Sequence, residues 1–172
     1  LRTFFRWLES EGLASVAALS RIRTPRVPRS IPKPLTVEKA TALVGGDVDE
    51  DWIGARHQAV LLLLYGAGLR ISEALALCVR DAPLPGRDVI RITGKGGKVR
   101  LVPVLPVIQS AVARYLSLCP YPRRPEAPLF LGAKGGLLSP RLIQLAIAGL
   151  RDSLGLPPTA TPHALRHSFA TH

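Results

Sequence analysis

Two arginines, a lysine and a histidine in this 172-residue chain stand where chemistry on a phosphate would want them. In Thr161-Pro162-His163-Ala164-Leu165-Arg166-His167, threonine is a favoured N-cap and proline suits the first helical position. His163 then falls in the first turn, and Arg166 follows three residues later on the same face. Free N–H groups and the helix dipole already favour an anion there, and an exposed cation in that turn costs roughly 0.3–1 kcal/mol unless something holds it. A bound phosphate would hold it. Arg70 follows the turn Tyr65-Gly66-Ala67-Gly68-Leu69, where glycine lets backbone approach a ligand closely, and Glu73 one turn on is placed to steer its guanidinium. Lys95 lies in Gly94-Lys95-Gly96-Gly97, between two alternating segments that read as a β-hairpin. On an arbitrary hairpin such a lysine is simply solvated. A nucleotide-binding P-loop is rejected, because Lys98 is followed by Val99 and a strand rather than by Ser or Thr opening a helix.

Bulk charge agrees. With 23 Lys and Arg against 12 Asp and Glu, the formal charge is +11, so the expected partner is a polyanion, nucleic acid first, unless the protein is merely basic. RNA binding is the weaker reading, because aromatic residues make up only 5% and offer no stacking platform. A hydrophobic content of 47% is enough for a core. The longest apolar stretch, Ala59 to Tyr65 continuing to Leu69, is too short to span a membrane, and no cleavable signal pattern opens the chain, so a cytoplasmic location is expected. Cys78 and Cys119 are far apart and read as buried reduced thiols. His163 and His167 are four apart, but a zincin helix needs Glu where Ala164 stands, and Arg166 would sit beside the metal. Neither a metal nor a cofactor is expected.

The elements that must carry these residues follow from pattern. Phe4, Phe5, Trp7 and Leu8 predict a helix over residues 1 to 8, and residues 1–20 read as the end of a preceding domain. Residues 21–34, with four prolines and five cations, form a linker that is either solvated or lies along DNA. The main domain, 35–172, begins near Leu35. Thr36 caps a helix with Val37, Ala40, Leu43 and Val44 inward, and a more buried helix runs from about Asp51 to Tyr65. Ile71, Ala74, Leu75 and Cys78 predict a helix reaching Cys78. Residues 88–93 and 98–104 are the hairpin strands, and Pro106 to Cys119 is a helix. Ser139 and Pro140 cap another helix running to about Leu154, with Leu142, Leu145, Ala146 and Leu150 inward. The fold class is mainly α with a small antiparallel β-sheet, an α+β arrangement.

The order Gly-Leu-Arg-Ile-Ser-Glu, a Gly-Lys-Gly hairpin, then His-Ala-Leu-Arg-His resembles the tyrosine recombinase (phage integrase) family. Ile92 to Pro103 and Thr161 to His172 look most like its bacterial XerC and XerD branch. The resemblance implies the catalytic-domain fold of that family, with the N-terminal core-binding domain ending in residues 1–20. By position it makes Arg70 and Arg166 the two catalytic arginines, Lys95 the hairpin lysine, and His163 the His or Lys of the second box. It implies attack by a tyrosine on a DNA phosphodiester through a 3′-phosphotyrosyl intermediate, without a metal. The arginines would hold the non-bridging oxygens, Lys95 would protonate the leaving 5′-oxygen, and His163 would support proton transfer or bind a phosphate oxygen. The family's later histidine or tryptophan and its nucleophilic tyrosine fall beyond His172, so the catalytic domain reads as C-terminally truncated and inactive by itself. Tyr65, Tyr115 and Tyr121 precede the second box and do not read as nucleophiles. Expected partners are a duplex DNA recombination site, other recombinase protomers in a tetramer with a paired recombinase, and a DNA translocase, the task being resolution of chromosome dimers. A non-catalytic DNA-binding or regulatory module and a mobile-element integrase are the alternatives.

Overall fold

The computed structural model describes residues 2–13, 15, 35–45 and 51–171. It divides into two units, Leu1–Ile31 and Pro32–His172. The basic proline-rich stretch 21–34 lies outside the described residues. In the first unit, α1 spans Arg2–Ser10, two residues beyond the segment the pattern marks out. Phe4 and Trp7 stack on its surface with ring centroids 6.2 Å apart.

The second unit is organised around α3 (Trp52–Gly66), against which α2 (Val37–Gly45), α4 (Ile71–Leu75), α5 (Pro106–Leu118), α6 (Pro140–Ser153) and α7 (Pro162–Phe169) pack. The Asp51 carboxylate caps α3 by accepting the Gly54 N–H at 2.6 Å. Behind that cap, Ala59 to Leu64 are all buried, which explains why the run is apolar on every side rather than amphipathic. Gly68, at φ +60°, ends the helix, and the Leu69 N–H returns to the Leu63 carbonyl at 3.2 Å. In α2, Ala40, Leu43 and Val44 are buried as the pattern requires, whereas Val37 is 55% exposed.

Strands β1 (Val89–Thr93) and β2 (Val99–Pro103) pair antiparallel, with Ile92 opposite Arg100 and Thr93 opposite Val99. Ile90, Ile92, Val102 and Val104 face the core. Gly96 and Gly97, at φ +74° and +75°, turn the chain at the tip, so the glycines there are a conformational requirement. Among the described residues, no helix is long and apolar enough to cross a membrane.

Three further expectations are corrected. Helix α4 stops at Leu75, because Cys78 forms an isolated antiparallel bridge with Pro128 and the Val79 N–H bonds the Ala127 carbonyl. Tertiary hydrogen bonds have overridden an i, i+3, i+4, i+7 pattern. In α6, Leu142 and Leu145 are 42% and 52% exposed, and the buried positions are Ile143 and Ile147. Leu150 packs at the core edge on that same face, so the apolar stripe is rotated by about one residue from the one expected. Both cysteines are half-buried free thiols rather than fully buried ones.

Candidate active site

Helix α7 begins as its sequence dictates. The Thr161 hydroxyl accepts the Ala164 N–H at 3.2 Å, and Pro162 occupies the first turn. Ala164, Leu165 and Ser168 form its buried face. The Ser168 hydroxyl accepts the Leu35 N–H at 2.8 Å and donates to the Ala164 carbonyl at 2.9 Å, which pins α7 to the start of the unit. His163 and Arg166 are thereby left on the other side, at the rim of a cleft of about 690 Å³.

The cleft joins three elements remote in sequence: Arg70 and Ser72 from the turn into α4, Gln144 and Arg151 from α6, and His163 and Arg166 from α7. Each arginine of the expected pair is oriented by a fixed partner. The Arg166 Nε donates to the Gly68 carbonyl at 2.9 Å. Burial, and after it the charge of Arg70, pulls the Arg166 guanidinium below its ordinary value, with Glu73 opposing. The Arg70 side chain is 54% exposed, and its Nη1 donates to Glu73 Oε1 at 2.8 Å. Its backbone N–H donates to Glu73 Oε2, also at 2.8 Å. Glu73 therefore steers Arg70, as the spacing suggests.

Glu73 does more than that. Its side chain is 5% exposed, and Arg100 of β2 grips it as a fork, Nη1 to Oε1 at 2.9 Å and Nη2 to Oε2 at 2.8 Å. The Arg100 hydrogen bonds are the largest cause holding the Glu73 carboxyl down at about 2, and the bonds from Arg70 add to them against the opposing effect of burial. Sequence reasoning missed Arg100. The available signal was a charge at an inward position of an alternating strand, in phase with Val102 and Val104. Arg151 and Gln144 of the cleft were missed as well, and a cation in the last turn of a helix is too common a feature to single out.

Lys95 is at the tip of the β1–β2 hairpin, in the turn Lys95–Gly97. Arg70, His163 and Arg166 thus line one cleft, and Lys95 is carried on the strand pair that Arg100 ties to Glu73. None of the three tyrosines lines the cleft. Tyr115 is fully buried with its oxygen accepting the Leu131 N–H at 3.0 Å, and the Tyr121 hydroxyl donates to the Ala133 carbonyl at 2.7 Å. Among the described residues, no three His, Cys, Asp or Glu side chains gather as a metal site.

The second unit is thus mainly helical, with one hairpin and a cationic cleft lined from the turn into α4, from α6 and from α7. Residues 35–172 match the Phage integrase family, and the chain belongs to it. It is 57% identical to the tyrosine recombinase XerC of Methylobacterium sp. (strain 4-46) over 100% of this chain and 55% of that protein. It is also 57% identical to XerC of Bradyrhizobium diazoefficiens, over 100% of this chain and 56% of that protein. The chain thus spans about 55% of the length of these curated relatives. Among solved structures, the XerA recombinase superposes with a TM-score of 0.68 at 26% identity, covering 91% of this chain and 55% of that one. The XerH site-specific recombinase bound to its difH substrate, a pre-cleavage complex, gives 0.67 at 27% identity, covering 82% of this chain and 42% of that one.

Proposed function

We propose that this chain carries the phosphate-activating part of a site-specific DNA recombinase. The observation that carries the reading is the meeting of Arg70, His163 and Arg166 in one cleft, with both guanidiniums held by other groups before any substrate arrives. Such preorganisation is what a charge-developing transition state rewards.

In this reading a tyrosine oxygen attacks the phosphorus and the bond from phosphorus to the 5′-oxygen breaks. Arg70 and Arg166 hold the two non-bridging oxygens as charge builds on them. Lys95 gives its proton to the departing 5′-oxygen, and His163 supports removal of the tyrosine proton or binds a phosphate oxygen. The 3′-phosphotyrosyl link conserves the bond energy, so a 5′-hydroxyl from another strand can reverse the step and regain the proton balance. The burial of Tyr115, the hydrogen bond that holds the Tyr121 hydroxyl, and the position of all three tyrosines away from the cleft argue for a nucleophile other than Tyr65, Tyr115 and Tyr121. The net charge of +11 supports salt-sensitive binding to duplex DNA. From the resemblance to the XerC and XerD branch, the proposed role extends to chromosome dimer resolution in the cytoplasm by a tetramer on DNA with a paired recombinase and under a DNA translocase.

The test is to trap the covalent adduct on a nicked duplex with the intact recombinase and to map it by peptide mass spectrometry. The reading expects DNA joined through its 3′-phosphate to a tyrosine other than Tyr65, Tyr115 and Tyr121, with chelators having no effect. A 5′ linkage, a requirement for a divalent metal, or an adduct on one of those three residues would overturn it.

A further inference from the structure

We infer that Arg100 is a positioning residue that sets the Lys95 hairpin against the arginine clamp. The inference rests on the recombinase reading above. Arg100 does not line the main cleft; it lines a smaller groove of about 350 Å³ on the other side of Arg166, together with Gly68, Leu101 and Phe169. It bonds Glu73 directly and shares that groove with Arg166.

That contact is unusually complete. Each Glu73 oxygen accepts one bond from Arg100 and one from Arg70, so a single buried carboxylate joins the turn that bears Arg70 to the strand that follows Lys95. A planar fork-to-fork pair fixes angle as well as distance, which an ammonium could not do. The backbone just before Lys95 passes beside this pair, near enough that a side chain at Gly94 would touch it. A methyl group placed on Gly94 would sit 3.6 Å from Arg100 Nη1 and 3.6 Å from Glu73 Oε1. Gly94 in turn closes the hairpin, its N–H donating to the Lys98 carbonyl at 2.7 Å and its own carbonyl accepting the Gly97 N–H at 3.2 Å. The hairpin is thus tied to Glu73 by Arg100 on the strand after Lys95, while the backbone before Lys95 passes beside that pair. Without Arg100 the tip keeps its two turn bonds but loses its tie to the clamp.

The consequence is specific to proton delivery. If Arg100 acts through Lys95, its loss should slow departure of an oxygen leaving group and leave departure of a sulfur one nearly unaffected. A 5′-thiolate leaves without needing a proton. The experiment compares cleavage by the intact recombinase and its R100A, R100K, K95A and R70A variants on a normal duplex and on one with sulfur as the bridging 5′ atom. The rate ratio, sulfur over oxygen, is the readout, and it is insensitive to a fraction of unfolded enzyme. We expect the ratio to rise at least about 10-fold above wild type in R100A and in K95A, to rise less in R100K, and to stay near wild type in R70A. A wild-type ratio in R100A with a raised ratio in K95A overturns the Arg100 inference alone. A wild-type ratio in K95A overturns the assignment of Lys95 as the acid, and the recombinase reading must then be revised first.

Discussion

Replacing Glu73 with Gln should destabilise the protein at neutral pH and much less in acid. The carboxyl sits at about 2 in the folded protein against an ordinary value of 4.5, chiefly through the Arg100 hydrogen bonds. At 1.36 kcal/mol per pH unit, that difference corresponds to about 3.4 kcal/mol at pH 7 and about 1.4 kcal/mol at pH 3. Solvent reaches the partners, since the Arg70 and Arg100 side chains are 54% and 38% exposed, so screening lowers the neutral-pH figure to about 2 kcal/mol. The sign follows from a depressed folded value. The stabilisation is complete above 4.5 and is lost as pH falls towards 2. The assay is urea unfolding of wild type and E73Q followed by circular dichroism at several pH values. A deficit of about 2 kcal/mol at pH 7 that falls below about 1 kcal/mol at pH 3 is expected. A deficit that is the same at both pH values, or absent at pH 7, would refute the reasoning.

Three further substitutions probe the supports of the cleft. In G68A, the added Cβ would lie 2.5 Å from the Phe169 ring at a residue held at φ +60°, so a loss of about 2–4 kcal/mol is expected, and the double variant G68A/F169A should recover part of it in the same unfolding assay. Cleavage should fall too, because the Gly68 carbonyl orients Arg166. S168A strands the buried Leu35 N–H and should cost about 1–3 kcal/mol in denaturant titration, whereas an unchanged midpoint would mean the hydrogen bond carries no net stability. T161A removes the cap of α7 and should cost about 1 kcal/mol, with weaker protection of the α7 amides in hydrogen exchange.

What the sequence made legible was whatever depends on neighbours along the chain. The cap at Thr161 with its proline, the cap at Ser139, the glycine turn before Arg70 and the hairpin around Lys95 are all local, and they lie where the pattern puts them. The pairing of Arg70 with Glu73 is also local, three residues apart on one turn. What was not legible depends on partners that folding brings together. Arg100 meets Glu73 across 27 residues, and nothing near Arg100 announces a carboxylate. Cys78 leaves the helical pattern because Pro128 and Ala127 offer hydrogen bonds from far along the chain. The face of α6 was misjudged because leucines and isoleucines alternate around it, and only packing selects Ile143 and Ile147 over Leu142 and Leu145.

The central claim is that Arg70 and Arg166 form a clamp for the scissile phosphate, and it is tested most directly by separating cleavage from binding. Single-turnover cleavage and duplex affinity would be measured for the intact recombinase and for its R70A and R166A variants at several salt concentrations. The account predicts that each variant loses at least about 100-fold in cleavage, keeps duplex affinity within about 10-fold of wild type, and lowers the salt slope by about 1. Cleavage undiminished in either variant, or lost only in proportion to DNA binding, would contradict it.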